Sequence, residues 1–323
     1  MTDQGDIAVV AIGRNEGARL VACLASLQRL GLRVIYVDSG STDASLQAAR
    51  DLGAQIVELD LSVPFTAARA RNAGFHALNP APTFVQFVDG DCVLEPGWIE
   101  AGLKTLADHP DIGIVTGWRS EMYPDASIYN GMAEVEWHRP AGDIHACGGD
   151  MMVRSDLFRQ MDGFNPGIIA GEDEEFCTRV RKAGWRVHRL PLAMTRHDAN
   201  ILQFRQWWQR AVRTGHAYAQ VSTIHPDYGS RERKRAWLYG AVLPALAILG
   251  AALWPWLLVA VLGIYAASYA RTTQGLVRNG LSLHDAMKQA VLLTVSKLPN
   301  LLGLLTYRWR SLRKREMVLI EYK

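Results

Sequence analysis

Asp89 and Asp91 stand one residue apart, directly after the apolar run Phe84–Val88. A buried strand that ends there delivers both carboxylates at once, and both can turn toward a single cation. Hard divalent ions such as Mg²⁺ or Mn²⁺ take oxygen ligands of this kind and often leave positions for water and substrate phosphates. The pentapeptide Phe87-Val88-Asp89-Gly90-Asp91 reads equally well as an ordinary Asp-Gly turn. The residues that accompany it tip the balance.

Two further polar clusters follow apolar runs in the same way: Arg14-Asn15-Glu16 after Ile7–Ile12, and Asp38-Ser39 after Val34–Val37. With Gln55–Leu59 and Ile112–Thr116, these runs read as strands. Helical patterns near Ala18–Arg29, Asp43–Leu52, Ala67–Leu78 and Gly97–Ala107 separate them. The alternation predicts an α/β domain on a mostly parallel, Rossmann-like sheet with right-handed crossovers. Ligands of such open sheets sit outside the carboxyl ends of the strands, where all three clusters fall. Acidic clusters meeting on one rim repel each other unless a cation or a ligand's donors offset them. The first turn, Gly13-Arg14-Asn15-Glu16-Gly17, lacks the GxGxxG spacing, and the chain has no Walker A lysine loop. A metal is therefore the expected holder of phosphates.

Farther along, Glu172-Asp173-Glu174-Glu175 reads as the acidic first turn of a helix, Glu172–Ala183, complementing its macrodipole. A carboxylate in that position is expected to have its pKa lowered and to stay ionised at neutral pH. His197, after the apolar run Leu190–Met194, suits a cap or a satisfied histidine as well as a ligand. Gly148-Gly149-Asp150 is a plain turn or a place where backbone approaches a ligand closely. Asp156 and Asp162 read as helix-start and turn residues. Trp207, Trp208, Arg210 and Arg213 lie on a helical pattern from Leu202 to Val221, whose aromatics suit packing onto the domain or a membrane surface.

Taken in order, these motifs resemble those of the family 2 glycosyltransferases, which use a nucleotide-sugar and have a GT-A fold. The residues concerned are Ala11-Ile12-Gly13-Arg14-Asn15-Glu16, Val37-Asp38-Ser39-Gly40-Ser41-Thr42-Asp43, Ala70-Arg71-Asn72-Ala73-Gly74, Asp89-Gly90-Asp91, Gly171-Glu172-Asp173-Glu174-Glu175 and His197, within roughly residues 6–215. The resemblance implies that Ile12, Arg14, Glu16, Asp38, Ser39, Arg71, Asp89 and Gly149 bind the nucleotide-sugar, with Glu16 and Asp38 at the base and ribose. It implies that Asp91 and His197, supported by Asp89, hold Mg²⁺ or Mn²⁺ at the diphosphate. Asp173 matches the catalytic base, with Glu172 beside it. Ser39 departs from the pattern, since many members carry a second Asp there; its hydroxyl can still hydrogen-bond the nucleotide, so the change bears on donor preference. Gln206-Trp207-Trp208-Gln209-Arg210 does not fit the QxxRW spacing of the processive synthases, and Trp207, Trp208 and Arg213 remain the acceptor-side candidates. A neutralised diphosphate leaving group and one base on the opposite face of the sugar give inversion at the anomeric carbon.

Charge is distributed unevenly. Residues 1–200 hold 18 Lys/Arg against 27 Asp/Glu, and residues 201–323 hold 17 against 5, so the net +3 conceals balances of −9 and +12. A basic segment can address nucleic acid or an anionic membrane. The 35 uncharged residues Ala236–Ala270 favour the membrane and no nucleic acid. As one helix they would run about 51 Å against a hydrocarbon core of roughly 30 Å. Trp254-Pro255-Trp256 breaks them into a hairpin, about Trp237–Leu253 and Trp256–Ala270, with arms of about 25 Å. Arg231, Arg233, Lys234 and Arg235 before, and Arg271 and Arg278 after, place both ends on the cytoplasmic face; a re-entrant hairpin fits arms this short equally. Ala286–Tyr307 is interrupted by Lys288, Lys297, Pro299 and Asn300 and followed by five basic residues, so it reads as an interfacial segment about 283–315. Two long spans, in 238–270 and 286–307, are the alternative. Four cysteines far apart with no CxxC pair suit a reducing compartment. The polar start Met1–Asp6 and the short run after it do not match a signal peptide.

The expectation is therefore a GT-A catalytic domain over 1–225 and a membrane-associated region over 226–323, on the cytoplasmic face of the inner membrane. It would transfer one sugar from a UDP- or GDP-sugar to a lipid-linked or membrane-proximal glycan, in exopolysaccharide, lipopolysaccharide or glycolipid synthesis. Confining enzyme and acceptor to one surface raises their effective concentration. A processive polysaccharide synthase, which needs a channel, and a non-catalytic nucleotide-sugar-binding membrane protein are the alternatives. A nucleotidyltransferase would need a glycine-rich triphosphate loop that the first turn lacks.

Overall fold

The computed structural model describes residues 6–321; of the stretch Met1–Asp6, only Asp6 is among them. They form two compact units. One comprises residues up to 125, Ala133–Asn200 and Met317–Leu319; the other comprises Ala126–Met132, Ile201–Glu316 and the residues from Ile320 onward.

The first unit is α/β. Strands β1 (Ile7–Gly13), β2 (Arg33–Asp38), β3 (Gln55–Glu58) and β4 (Phe84–Asp89) are separated by helices α1 (Ala18–Gln28), α2 (Ser45–Asp51) and α3 (Ala67–His76). Then come β5 (Cys92–Leu94), α4 (Trp98–Asp108), β6 (Ile112–Glu121), α5 (Ile128–Trp137, of which residues 133–137 belong to this unit), β7 (Gly142–Asp143), β8 (Met151–Arg154), α6 (Ser155–Gln160), α7 (Glu172–Lys182) and β9 (Arg186–His197). One sheet runs in the order β3-β2-β1-β4-β8-β6-β9-β5, with β7 on β9. The β1–β4 half and the β6–β9 pair are parallel, while β8, β5 and β7 pair antiparallel.

The unbroken apolar runs follow from burial on both faces. Along β1, Ala8, Val10 and Ile12 join one core cluster, whereas Ile7, Val9 and Ala11 join the other. Strands covered by helices on both sides need no polar alternation. Helix α3 lies so close to the sheet that a Cβ on Gly74 would sit 2.3 Å from a Val10 methyl.

Register brings the functional loops together. Ile12 pairs with Val37 on one side and Asp89 on the other, so the chain leaves β1, β2 and β4 along one edge. Several boundaries differ from the sequence expectation. Strand β6 continues past Thr116 to Glu121 through register shifts, and the apolar run Leu190–Met194 lies inside a longer strand, β9. The two lengthen together because each supplies the other's hydrogen-bond ladder.

The second unit is helical: α8 (Phe204–Ser222), α9 (Ser230–Trp237), a π-turn (Leu238–Val242), α10 (Leu243–Leu253), α11 (Pro255–Arg278), α12 (Leu283–Val295) and α13 (Lys297–Leu312). Trp254 is extended, φ −152° and ψ 91°, and Pro255 opens α11, so the helix breaks at the expected proline. The Tyr265 hydroxyl donates to the Tyr239 carbonyl at 2.6 Å, closing α10 and α11 into a hairpin. The flanking arginines are helical too, so each arm has 24 residues, Ser230–Leu253 and Pro255–Arg278, rather than a bare apolar stretch. Ser230–Leu253 and Leu283–Leu312 are long and apolar enough to cross a membrane. Helix α13 packs against α8, where a Cβ on Gly303 would lie 2.0 Å from the Val212 carbonyl oxygen.

Candidate active site

The loops after β1 and β2 are knitted into one surface. The buried Asp38 carboxylate accepts from the Tyr36 hydroxyl at 3.0 Å and from the Gly40 and Ser41 amides at 2.9 and 2.7 Å. The Asn15 amide donates to Ser41 Oγ at 2.9 Å, and Asn15 Oδ1 accepts from the Thr42 amide at 2.7 Å. Ser39 is buried, its amide donating to the Gly13 carbonyl at 3.0 Å. Ile12 is buried at the start of this edge. Glu16 pairs with Arg19 at 2.8 Å, and the Arg14 guanidinium lies 4.6 Å above the Phe65 ring.

Arg71 organises the next layer. It leaves α3, buries itself, and bridges Asp89 Oδ1 at 2.7 Å and Glu172 Oε1 at 2.8 Å. Burial opposes its charge, but Asp89, Glu172 and Asp173 outweigh burial and hold it firmly protonated. Asp89 is the mirror case: burial pushes its carboxyl up, while Arg71 and Arg119 pull it below the ordinary range. A Cβ on Gly149 would sit 1.8 Å from Arg71 Nη2, and one on Gly148 3.3 Å from Arg119 Nη2. The two glycines exist to let guanidiniums lie on the backbone, which deletes side chains where the ion pairs must fit.

Asp91 and His197 meet because β5 and β9 pair antiparallel with Cys92 opposite His197. Asp91 Oδ2 lies 3.0 Å from His197 Nε2, and both side chains are nearly buried. The Trp137 ring stacks on His197 with centroids 4.6 Å apart. Asp91, Cys92 and His197 present ligand atoms within 4.8 Å of one another. The carboxylate oxygen suits Mg²⁺ or Mn²⁺, and the imidazole nitrogen is a softer donor that Mn²⁺ takes more readily than Mg²⁺. Burial and Asp150 push the Cys92 thiol well up, and the thiol donates to Asp150 Oδ2 at 3.3 Å. His197 Nδ1 is buried without a hydrogen-bond partner among the described residues. The donor set therefore fits a hard divalent ion.

Helix α7 divides its four acidic residues by task. Glu172 is taken by Arg71, and Glu175 is locked by Arg179 at 2.8 Å as a structural pair. Asp173 is half-buried and accepts from the Glu174 amide at 2.8 Å. Burial first, then the neighbouring Glu172 and Glu174 charges, push its carboxyl up to about 8, against the pull of Arg71. This corrects the expectation of a carboxylate kept ionised by its helix N-terminus. Two adjacent carboxylates and lost hydration outweigh the helix dipole, which is a smaller effect.

Three contributors escaped sequence reasoning: Arg119, Asp150 as a charged partner, and Trp137. The doubled glycine before Asp150 was the available signal. Trp207, Trp208 and Arg213 belong to the second unit. There Trp207 is buried, stacked on Tyr129 at 6.1 Å and against Phe204 at 5.3 Å, while Trp208 and Arg213 are half-buried.

Residues 8–159 match the family model described as glycosyl transferase family 2, and residues 128–201 match the N-terminal domain of galactosyltransferase. The pre-mycofactocin glycosyltransferase of Mycobacterium tuberculosis is 28% identical over 271 residues, 79% of this chain and 53% of the relative. The chain thus spans about half that relative's length. The O-antigen chain rhamnosyltransferase RfbN of Salmonella typhimurium is 25% identical over 61% of this chain and 66% of its own. Among solved structures, the mannosyltransferase PcManGT of Pyrobaculum calidifontis, in complex with GDP-Man and Mn²⁺, superposes with a TM-score of 0.60 at 18% identity, covering 95% of this chain and 88% of its own. The glucosyl-3-phosphoglycerate synthase of Mycobacterium tuberculosis, with Mn²⁺, UDP and glucosyl-3-phosphoglycerate, gives 0.51 at 18% identity over 67% of this chain and 78% of its own.

Proposed function

Because the chain carries a glycosyltransferase family 2 domain on the GT-A fold, we propose that it moves one sugar from a nucleotide-sugar to a lipid-linked or membrane-proximal glycan, inverting the anomeric carbon. The observation that carries this reading is a divided site: Asp91 beside His197 where β5 and β9 pair, and the Arg71–Glu172 pair beside Asp173 on α7. Leaving-group and base chemistry need such separate neighbourhoods.

Each residue then has a task. Asp38, Ser39, Glu16, Arg14 and Ile12 form the nucleoside surface, whose loop hydrogen bonds hold its shape before the donor arrives. Arg71 orients Asp89 and Glu172, and Gly149 keeps the wall beside it low. Asp91 and His197, with Asp89 in support, would hold Mg²⁺ or Mn²⁺, whose contribution when bound is to offset charge on the diphosphate leaving group. Asp173 takes the acceptor hydroxyl proton once ionised. Trp207, Trp208 and Arg213 are assigned to the acceptor side. The GDP-Man and UDP complexes of the structural relatives support a UDP- or GDP-sugar donor.

The second half of the chain supports work at the cytoplasmic face of the inner membrane, over the region 226–323. Leu253, Trp254 and Trp256 at the hairpin tip are 76, 62 and 74% exposed, far more than an apolar tip in water favours. Basic residues flank the hairpin, as an anionic membrane surface prefers. The products would enter cell-surface polysaccharide or glycolipid. The test is nucleoside diphosphate release from a panel of nucleotide-sugars by full-length protein with Mg²⁺ or Mn²⁺, with and without membrane lipid extract. Lipid-stimulated release from one donor, lost in Asp173→Asn, is expected. No release from any donor, despite metal-dependent nucleotide binding, would replace this proposal with a non-catalytic nucleotide-sugar-binding protein.

A further inference from the structure

Asp150 holds contacts to four strands or strand ends of the first unit, and the proposed chemistry gives it no task. Its side chain is fully buried, and its oxygens accept hydrogen bonds from three elements and form an ion pair with a fourth. Oδ1 takes the Asp89 amide at 2.9 Å, at the end of β4. Oδ2 takes the Cys92 thiol at 3.3 Å, on β5, and the Thr195 hydroxyl at 3.0 Å, on β9. Oδ2 also lies 2.6 Å from Arg119 Nη2, on β6. Asp91 sits between Asp89 and Cys92, both of which donate to Asp150. His197 lies two residues beyond Thr195 on the same strand, so both side chains leave the same face of β9.

We propose that Asp150 is a positioning residue that sets the separation of Asp91 and His197, with Arg119 as its built-in counter-cation. This rests on the metal role proposed above for Asp91 and His197. A second path runs the same way: Arg119 lies 5.4 Å over the Trp137 ring, and Trp137 stacks on His197. Asp89, Cys92 and Asp150 also cluster closely enough to suggest a second cation. Arg119 already supplies positive charge there, at 2.6 Å from Asp150 and 3.7 Å from Asp89. A buried carboxylate so placed is costly without its partner, so the two work as a unit. An asparagine at 150 keeps the shape but turns one acceptor into a donor facing donors, which must release at least one of the four ties.

The experiment is Mn²⁺ titration of the full-length protein, reading free Mn²⁺ by its electron paramagnetic resonance signal, beside thermal unfolding of each variant. Asp150→Asn should weaken Mn²⁺ binding by about tenfold or more, the scale for groups that orient a metal's ligands. Thr195→Val, which deletes one tie and keeps the shape, should weaken it by about threefold to tenfold. Both losses should exceed anything the unfolding midpoints account for. Wild-type affinity in folded Asp150→Asn overturns the inference, as does wild-type affinity in Thr195→Val if Asp150→Asn does not fold. Asp91→Asn separates the two levels: Mn²⁺ binding that survives it places the ion elsewhere and removes the metal role itself, and this inference with it.

Discussion

At the residue scale, Asp173 is the most informative group. Its carboxyl, raised to about 8, is protonated in most molecules at neutral pH. A base must be ionised, so kcat/KM for the acceptor should rise with pH and level off above about 8; a limb near pH 4 to 5 would remove Asp173 from the role. Glu174→Gln should move that limb to lower pH, because Glu174 is one of the charges that raises it. Asp173→Asn should leave donor affinity intact and cut transfer by about a hundredfold or more, read as product formed at saturating donor. The same shift has a stability sign. The folded protein binds a proton that the unfolded chain has released between the ordinary carboxylate range and about 8, so stability falls as pH rises across that window. Unfolding midpoints across that window should fall less steeply in Asp173→Asn. Gly149→Ala places a methyl carbon 1.8 Å from Arg71 Nη2, and Arg71 is pinned by two carboxylates. A loss of about 1–3 kcal/mol by thermal unfolding is expected, as for other overpacked sites.

At the element scale, β1 to β4 and the start of β6 were legible in the sequence, whereas β5 and β8 were not. Ile7–Gly13 and Phe84–Asp89 are covered on both faces, so hydrophobicity alone marks them. Cys92–Leu94 is three residues long and Met151–Arg154 four, and each is a strand only because a partner supplies its hydrogen bonds. Those two strands deliver Asp91 and Asp150, so the least legible elements carry much of the site. In the helical unit, backbones meet where glycines face each other's helices. Gly303→Leu in α13 would drive side-chain carbon into the Val212 carbonyl of α8. It should destabilise that unit by about 1–3 kcal/mol or more, visible as faster proteolysis of the 201–316 segment. Unchanged proteolysis would mean α8 and α13 part easily.

At the scale of the whole molecule, charge divides along the chain, with a balance of −9 over residues 1–200 and +12 over residues 201–323. If the hairpin tip enters a bilayer, Leu253→Asp with Trp256→Asp puts charge into it, at up to roughly 2.5–3.5 kcal/mol per residue at the membrane centre and less toward an interface. Co-flotation of the full-length variant with anionic vesicles should then drop by about tenfold or more, whereas unchanged flotation would assign attachment to another surface. The amino-acid sequence by itself determined the α/β class, the carboxyl-edge clustering of Asp38, Asp89 and Asp91, and the break at Trp254-Pro255, because apolar periodicity and proline act locally. The pairing of Asp91 with His197, the splitting of Glu172-Asp173-Glu174-Glu175 into separate tasks, and the convergence of Arg71, Arg119 and Asp150 were decided only by the tertiary structure. Charges far apart in the chain acquire partners, and carboxyls lose water, only when strands pair across the sheet.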